Sequence, residues 1–366
     1  MIRTEEMLLN VGPQHPSTHG VLRIVIKIDG EIITEATPVI GYLHRGTEKL
    51  AENLQYTQII PYTDRMDYIS AMTNNYVLCH AVETMMNITV PERAEYLRIM
   101  AMELGRISSH LVAWGTFVLD LGATSPFIYA FREREMILNF LSELSGARMT
   151  FNYMRVGGVK WDAPEGWINK VAQFIPYMRE QLEGYKQLVS GNEIFLSRVK
   201  GVGTYSAEEA IAYSLSGANL RCTGIPQDLR KTEPYSIYDR FDFNIVTRET
   251  GDVLSRYEVR LDEIEESLKI LEQCVTQFPE EGPIIAKVPK IIKPPKGETF
   301  VRIESPRGEI GCYIASEGKK EPYRLKFRRP SFYNLQILPK LLKGENIANL
   351  IAILGAIDIV LGEVDG

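Results

Sequence analysis

The chain begins with short segments in which hydrophobic and polar residues alternate. Alternation covers residues 7–11, 22–28 and 31–39, and Asp29-Gly30 between the last two segments is typical of a hairpin turn. Successive side chains of a strand point to opposite faces, so each segment can bury one of its faces. The pattern predicts a small antiparallel sheet within residues 1–40.

From about residue 47 onward, the hydrophobic positions recur with the period of a helix. Asp64 suits the N-cap of the second helical stretch, and Pro91 suits the first turn of the third. Gly122 and Gly146 follow the third and fourth stretches, where a helix C-terminus favours glycine. Several long helices joined by short loops predict an antiparallel bundle. The predicted long helices cover residues 47–58, 64–86, 91–121, 126–144, 164–188 and 251–278.

Three stretches of the second half depart from this long-helix pattern. Ser206 and Glu209 have the spacing of a capping box, which predicts the start of a short helix. Residues 222–250 are rich in Pro, Tyr, Asp and Arg with little periodicity, and predict a structured excursion over the surface or over a partner. Residues 288–297 are basic and proline-rich, which predicts an extended linker.

The end of the chain combines strand-like segments with an apolar terminus. Alternation at residues 299–303, 309–314 and 323–329 predicts strands. Chain termini are usually polar and loose, so the apolar last residues predict a C-terminus buried in the fold. The predicted class is α+β, with an N-terminal β domain (1–40), a central helix bundle (41–287) that includes the excursion, and a final part (288–366) with the linker, β segments and buried terminus.

Composition narrows the classes of function. The chain has 366 residues, 45% of them hydrophobic, which is enough for a large core. A net charge of −6 disfavours binding to nucleic acid. No apolar run reaches the ~20 residues that span a bilayer, and the first residues lack the apolar core of a signal peptide. These features predict a cytoplasmic location and leave association with a membrane partner open.

The four cysteines, Cys79, Cys222, Cys274 and Cys312, are far apart in the sequence and form no Cys-x-x-Cys pair. This spacing disfavours a disulfide framework and a zinc or iron–sulfur site built by this chain alone. We expect four ordinary buried or half-buried thiols.

Candidate chemistry begins in the loop 12–23, which holds His15 and His19 between prolines and glycines. Both histidines could simply bond backbone groups of the loop. A metal site would need further ligands, and the other three histidines are scattered without carboxylates at ligand spacing. Proton donation is better supported, because a histidine titrates near neutral pH and a carboxylate can tune it.

Three further side chains are candidates for a site. Tyr68, predicted one turn into its helix, is either an aromatic of the bundle interface or a phenol that donates a hydrogen bond to a bound carbonyl oxygen. Asp120 ends an apolar stretch, and a negative charge at a helix C-terminus opposes the helix dipole. It either caps locally or pairs with a cation or histidine elsewhere. Arg45 lies in a turn before a helix.

The exact strings resemble one family. Gly-Pro-Gln-His-Pro-Ser-Thr-His-Gly-Val-Leu-Arg at 12–23 is similar to the signature of the 49-kDa-type (D-type) subunit family of respiratory complex I, NADH:quinone oxidoreductase. The resemblance covers nearly the whole chain in order. Seven further segments match, at residues 41–49, 64–68, 103–111, 131–135, 155–159, 228–231 and 358–365.

That family resembles the large subunit of nickel–iron hydrogenases, which hold their metals with two Cys-x-x-Cys pairs. Here Asp67-Tyr68-Ile69-Ser70 and Val360-Leu361-Gly362-Glu363 stand in those places, so all four thiolates are replaced. The resemblance implies that the same cavity takes a quinone headgroup and holds no metal. A hydrogen-metabolising enzyme is thereby nearly excluded.

The resemblance also implies roles for particular residues. His19 and Tyr68 correspond to the ligands of the quinone headgroup, and Asp120 to the carboxylate that pairs with the histidine. Asp358 and Val360 correspond to positions lining the inner quinone chamber. Arg45 corresponds to the arginine near the terminal iron–sulfur cluster, which a neighbouring subunit holds. This chain itself would bind no cofactor.

The implied assembly is a membrane complex. The expected partners are the cluster-bearing B-type subunit, the C-type and I-type subunits, and the H-type membrane subunit, at the cytoplasmic face of the cell membrane. The expected activity is quinone reduction coupled to proton pumping. The rival hypothesis is a non-catalytic scaffold that only docks the cluster-bearing subunit, for which the bundle and the excursion at 222–250 would suffice.

One departure from the family pattern concerns the quinone. Many members carry a histidine where this chain has Thr150-Phe151, and that histidine is linked to a pH-dependent cluster potential. Its replacement indicates a lower-potential quinone such as menaquinone.

Overall fold

The structure is a computed structural model that describes residues 6–14 and 20–366. The predicted N-terminal sheet is confirmed, with antiparallel strands in the order β1-β2-β3. Alternate residues of the middle strand, Ile24, Ile26 and Ile28, are buried, as the alternation predicts. The strands among the described residues are β1 (Met7–Val11), β2 (Arg23–Asp29), β3 (Ile32–Val39), β4 (Met154–Arg155), β5 (Gly158–Val159), β6 (Gly297–Ser305), β7 (Gly308–Ser316) and β8 (Arg324–Arg328).

A helix-rich core accompanies the antiparallel sheets, so the α+β class with a helix bundle is confirmed. The longest helix, α4, packs against both α5 and α11, and α11 also packs against α6. The helices are α1 (Thr47–Ala51), α2 (Tyr56–Thr63), α3 (Ala71–Met86), α4 (Glu92–Asp120), α5 (Thr124–Ser145), α6 (Trp167–Tyr185), α7 (Glu193–Val199), α8 (Ala207–Ala212), α9 (Ala218–Arg221), α10 (Leu229–Thr232), α11 (Val253–Gln277), α12 (Pro330–Leu335), α13 (Leu338–Leu342), α14 (Asn349–Ile357) and α15 (Leu361–Asp365). A π-helical segment (Lys186–Ser190) extends α6, and a 3₁₀ turn (Tyr238–Arg240) follows α10.

Local caps mark several helix ends in the structure, including the ends predicted at Gly146 and Ser206. Gly146 ends α5 with a φ of 78°, in the left-handed region that glycine adopts without strain. Ser206 and Glu209 form the predicted capping box at α8. Asp252 begins α11 by accepting a hydrogen bond from the amide of Ser255 at 2.8 Å.

The first two predicted helices differ from the structure, one by a break inside it and the other by its start. The stretch 47–58 divides into α1 and α2, because the side chain of Gln58 accepts a hydrogen bond from the Gln55 amide and starts a new helix there. The stretch 64–86 becomes helical only at Ala71. Asp64 follows the last residue of α2 and is not an N-cap.

The C-terminal strands are confirmed as an antiparallel sheet in the order β6-β7-β8. Only Pro306 and Arg307 separate β6 from β7, so this hairpin has a two-residue turn. The predicted burial of the C-terminus is also confirmed, since every residue of α15 is buried. Main-chain hydrogen bonds join the N-terminal sheet to the segment before α14, for example Ile33 N to Glu345 O at 2.9 Å. The domain boundaries near residues 40 and 287 stay a prediction.

The excursion at 222–250 was predicted to lie over the surface or over a partner, but some of its residues are buried within this chain. Arg230, Tyr238 and Phe243 are buried, and α10 packs against β6. Ion pairs explain the burial, because Arg230 contacts Glu103 of α4 at 3.0 Å and Asp228 at 2.6 Å. These residues belong to a set of buried charged side chains that we call the central charge network. Its members are Glu103, Arg106, His110, Arg221, Asp228, Arg230, Glu263 and Glu304.

Candidate functional site

Tyr68 lies in the non-helical connection between α2 and α3, which we call the Tyr68 segment (residues 64–70). The prediction that it sits one turn into a helix is therefore wrong. The side chain of Asp67 accepts a hydrogen bond from the Ile69 amide at 3.2 Å, and the Asn74 side chain donates to the Asp67 carbonyl at 3.2 Å. Such local side-chain bonds compete with helical bonding, so the helix begins only after this turn.

The segment is also fastened at its start. The carboxylate of Asp64 accepts a hydrogen bond from the backbone amide of Asn152 at 3.1 Å. This bond ties the Tyr68 segment to the loop that carries Thr150 and Phe151. Burial raises the pKa of Asp64 to about 6, although the Asn152 amide partly offsets this. The loop in which Thr150 and Phe151 replace the family's histidine is therefore bonded to the segment that carries Tyr68.

The Tyr68 phenol is half-buried and stays protonated at neutral pH. Burial raises its pKa above the usual value of 10.0, and the negative charge of Asp67 raises it further, while Arg307 opposes both effects. A neutral phenol is a hydrogen-bond donor as well as an acceptor. The side chain can therefore offer a proton to an acceptor placed beside it.

The last residues of the chain, the C-terminal segment (residues 358–366), pack directly on the Tyr68 segment. A Cβ added at Gly362 would lie 2.7 Å from the Met66 carbonyl oxygen and 3.5 Å from the Tyr68 ring. No side chain fits in that space, so glycine permits the approach. Val360, predicted to line a quinone chamber, is buried just before α15, and its amide donates to Ser331 Oγ at 3.2 Å.

Arg45 reaches the same place from the other side. One of its guanidinium nitrogens donates to the Arg65 carbonyl at 2.7 Å, while the rest of the side chain is exposed. The neighbouring amides of Gly41 and Leu43 donate to the Asp365 carboxylate at 2.7 and 2.6 Å. The structure thus brings Arg45, Tyr68 and Val360 together around α15.

Asp358 is buried between two arginines. It follows α14 in the left-handed conformation, with its oxygens 3.4 Å from Arg307 Nη2 and 3.6 Å from Arg260 Nε. Among the residues that the structure describes, Asp358 Oδ2 has no hydrogen-bond partner. Asp358, which was itself predicted to line the chamber, thus forms ion pairs inside the fold.

Of the residues predicted to act with Tyr68 in proton donation, the described residues include Asp120 but not the two histidines of the loop. His15 and His19 lie outside the described ranges. Gly20, which follows the two histidines, would place a Cβ 3.7 Å from Leu361 Cδ1, so the described end of the loop lies against α15. Asp120 is the last residue of α4 and is half-buried. Its neighbours Val118 and Leu121 line a largely apolar cavity of about 400 Å³. The pairing of Asp120 with His19 stays a prediction.

Sequence reasoning did not single out Arg307 or Glu363, which are both buried at this site. Arg307 contacts Asp67 at 2.5 Å and Ser109 Oγ at 2.9 Å. Glu363 accepts hydrogen bonds from the Ser331 amide at 3.0 Å and from its hydroxyl. Burial and the charge of Asp67 raise the pKa of Glu363 to about 7. We call the buried group Asp67, Arg260, Arg307, Asp358 and Glu363 the Arg307 cluster.

Two further features concern metal ions and membranes. The four cysteines are free and buried, as expected. Within the described ranges, no group of three or more His, Cys, Asp or Glu side chains could hold a metal ion. In the same part of the chain, no helix has the length and hydrophobicity that crossing a bilayer requires.

Comparison with known proteins identifies the family. Residues 120–296 and 287–366 match the model of the 49-kDa subunit of respiratory-chain NADH dehydrogenase. The chain is 82% identical over 366 residues to the D-type subunit of NADH-quinone oxidoreductase of Bacillus mycoides strain KBAB4, and equally to that of Bacillus anthracis. Identity to the corresponding subunit of Geobacillus kaustophilus strain HTA426 is 80%, and each comparison covers 100% of both chains. The chain therefore belongs to the family of the D-type subunit of NADH-quinone oxidoreductase, the 49-kDa subunit of respiratory-chain NADH dehydrogenase.

Proposed function

We propose that this chain is the subunit of NADH:quinone oxidoreductase that forms the site of the quinone headgroup. The observation that carries the proposal is the position of Tyr68, a half-buried phenol with a raised pKa that lies between the buried Asp67 and α15. Family membership supports the same conclusion, because the relatives are named for quinone reduction.

Reduction of a quinone to a quinol takes two electrons and two protons. The terminal iron–sulfur cluster of the neighbouring B-type subunit supplies the electrons. In this proposal Tyr68 donates a hydrogen bond to one quinone oxygen and His19 to the other, and both can give up a proton. Asp120 pairs with His19 and takes up the charge change. General acids placed in this way are worth about 10²–10⁴ in rate.

The remaining assignments follow from the same site. Arg45 contacts the Tyr68 segment and still exposes most of its side chain, which fits a place facing the partner that carries the cluster. The C-type and I-type subunits and the H-type membrane subunit complete the proposed assembly at the cytoplasmic face of the membrane, where quinol formation drives proton pumping. Asp358 and Val360 are proposed to back the inner chamber.

Menaquinone is the proposed substrate. Thr150 and Phe151 replace the histidine that many family members carry, and their loop is tied to the Tyr68 segment through Asp64 and Asn152. A neutral side chain at that place does not add a titrating charge near the electron donor, which fits a low-potential quinone.

The test uses the assembled complex with Tyr68→Phe, which removes only the phenolic oxygen. We expect quinone reduction to fall by about 10²-fold or more, with assembly and NADH oxidation by ferricyanide unchanged. Tyr62→Phe, on the exposed side of the preceding helix, is the matched control and should behave as wild type. Wild-type quinone reduction in Tyr68→Phe would refute the site.

Two further substitutions examine the proton partners. His19→Ala should lower quinone reduction strongly without loss of assembly. Asp120→Asn should affect quinone binding less than coupled turnover, and an unchanged rate and pumping ratio would remove Asp120 from the mechanism.

The scaffold hypothesis makes a different prediction. A chain that only docks the cluster-bearing subunit would not be labelled by a photoreactive quinone, whereas the proposed site should be labelled within or next to the Tyr68 segment.

A further inference from the structure

The side chain of Arg307 reaches the Tyr68 segment from a distant hairpin. The turn between β6 and β7 consists of Pro306 and Arg307 alone. This turn is held in the core, since the Asn334 side chain donates to the Arg307 carbonyl at 2.9 Å and a Cβ at Gly308 would collide with Ser216. The backbone that carries Arg307 is therefore fixed independently of the Tyr68 segment.

The guanidinium connects three elements, the Tyr68 segment, α4 and the C-terminal segment. Nη1 donates to Asp67 in the Tyr68 segment at 2.5 Å and to Ser109 of α4 at 2.9 Å. Nη2 donates to Asp358, at the start of the C-terminal segment, at 3.4 Å. A planar guanidinium with donors in fixed directions suits such a junction, whereas an ammonium group does not reproduce its geometry.

The junction is buried and its charges are not fully balanced. Arg307 and Asp67 are each only 1% exposed at the side chain. The carboxylates of Asp67, Asp358 and Glu363 outnumber the guanidinium groups of Arg260 and Arg307. Burial raises the pKa of Asp67, an effect that Asp358 strengthens and Arg307 opposes. Loss of the Arg307 fork would leave Asp67 as an uncompensated buried charge, so the turn that carries Tyr68 would have to move.

We propose that Arg307 is a positioning residue for Tyr68, which sets the place of the phenol by holding Asp67, Ser109 and Asp358 on one guanidinium. The inference rests on the proposed function of Tyr68. Arg307 itself does not touch the quinone, and its contribution passes through the neighbouring Asp67.

The test is a double-mutant cycle in the assembled complex, with Arg307→Lys, Tyr68→Phe and the double variant. Turnover and KM are measured with a short-chain naphthoquinone. Ferricyanide reduction by NADH reports whether the NADH-oxidising part of the complex is intact. Displacement of a reacting group by about 1 Å can cost ~10²-fold, so we expect Arg307→Lys to lower kcat/KM by about 10- to 100-fold. In the Tyr68→Phe background the same change should cost less than about twofold, because the phenol it positions is already gone.

Arg98→Lys is the matched control. Arg98 is also a buried arginine in an ion pair, with Glu83 at 2.5 Å, and its contacts lie outside the Arg307 cluster. It should leave naphthoquinone kinetics unchanged. Should Arg307→Lys fail to assemble, Asp67→Asn probes the same ion pair from the other side while keeping an acceptor for the Ile69 amide. It should show the same non-additivity with Tyr68→Phe.

The outcomes separate the two proposals. Normal naphthoquinone reduction by Tyr68→Phe would refute the site and the positioning role together. A loss in Tyr68→Phe with independent, multiplicative losses from Arg307→Lys and Asp67→Asn would refute only the positioning role. Wild-type kinetics of both Arg307→Lys and Asp67→Asn would also refute the positioning role and leave the site itself unaffected.

Discussion

The central charge network and the Arg307 cluster are both groups of buried charged side chains, and they differ in how completely the oxygens of their carboxylates are hydrogen-bonded. In the central charge network, both oxygens of Glu103 accept hydrogen bonds, from Arg106, Arg230, Tyr238 and Ser267. In the Arg307 cluster, one oxygen each of Asp358 and Glu363 lacks a hydrogen-bond partner among the described residues. The first group resembles a structural joint, whereas in the second a carboxylate oxygen of Glu363 is free to take up a proton.

The pKa shifts follow this difference. Burial alone would raise the pKa of Glu103 and Asp228, but Arg230 and its neighbours outweigh burial, and the pKa of Asp228 falls to about 2. In the Arg307 cluster burial prevails, and the pKa of Glu363 rises to about 7. Glu304 is an exception in the central network, since burial and Asp228 raise its pKa despite Arg221. The pKa of a buried carboxylate falls only where nearby positive charges and hydrogen bonds together outweigh the cost of burial.

The largest expected effect comes from breaking the central network. Arg230→Met leaves the buried Glu103 and Asp228 without their main partner, and removal of one member of a buried ion pair costs about 3–5 kcal/mol. We expect a severe loss of assembled complex and a lower melting temperature of what remains. Arg302→Met is the control, because Arg302 pairs with Glu233 at the surface and should cost less than about 1 kcal/mol. Normal assembly of Arg230→Met would show that the network is not a structural joint.

The second prediction concerns the pH dependence of the Arg307 cluster. Glu363 has an ordinary pKa of 4.5 and a folded-state pKa of about 7, so the folded protein binds its proton more tightly. The resulting stability is complete below about pH 4.5 and is lost as the pH rises through about 7. Glu363→Gln stays neutral, so it should gain stability relative to wild type between pH 5 and pH 8, by at most about 3 kcal/mol.

Melting temperatures of the assembled complex across that range provide the measurement. Asp228→Asn, from the central network, is the contrasting variant. Its folded-state pKa of about 2 lies below the ordinary 3.8, so its stabilising effect is complete above about pH 4 and lost only in stronger acid. Asp228→Asn should therefore be less stable than wild type by the same amount at pH 5 and pH 8. Parallel curves for wild type and Glu363→Gln would contradict the difference between the two groups.

The sequence predicted best what local signals decide. Alternation gave the N-terminal sheet and the β6–β7 hairpin, and caps at Ser206 and Gly146 gave helix ends, because these signals act within a few residues. The Tyr68 segment was predicted as helix, since the helical period of its neighbours extends through it. What stops the helix is the side chain of Asp67, held by Arg307 from 240 positions away.

Only some residues of the candidate site could be named from the sequence, because contacts between distant residues leave no local signal. Motif resemblance named Arg45, Tyr68, Asp358 and Val360, which the structure brings around α15. It also named His19, which lies outside the described residues, and Asp120, whose pairing with His19 stays a prediction. Arg307 was missed because an arginine in a two-residue turn is normally solvent-exposed, and nothing nearby in the sequence shows that this turn is buried. The excursion at 222–250 lacks any period, so its burial through Arg230 could not be read from pattern. A buried pairing between distant charges leaves no local trace.

The smallest expected effect tests how tightly each region is packed, with one methyl group added to each. Gly105 of α4, between Glu103 and Arg106, has nothing within 4 Å of an added Cβ. Gly105→Ala should stabilise the complex by about 0.5–1 kcal/mol, because alanine favours a helix. Gly362→Ala would instead place a methyl group 2.7 Å from the Met66 carbonyl oxygen, and overpacking of this kind costs about 1–3 kcal/mol.

The activities of Gly105→Ala and Gly362→Ala show whether the close packing at Gly362 serves the fold alone or also positions Tyr68. The added methyl at Gly362 presses on the backbone beside Tyr68, so we expect naphthoquinone turnover to fall about tenfold while ferricyanide reduction stays at the wild-type level. Gly105→Ala should leave both activities unchanged. If Gly362→Ala lowers only the melting temperature, the contact between α15 and the Tyr68 segment supports the fold without setting the place of the phenol. If it lowers turnover as well, the last residues of the chain form one wall of the same site, since a shift of that wall reaches the ring of Tyr68 directly.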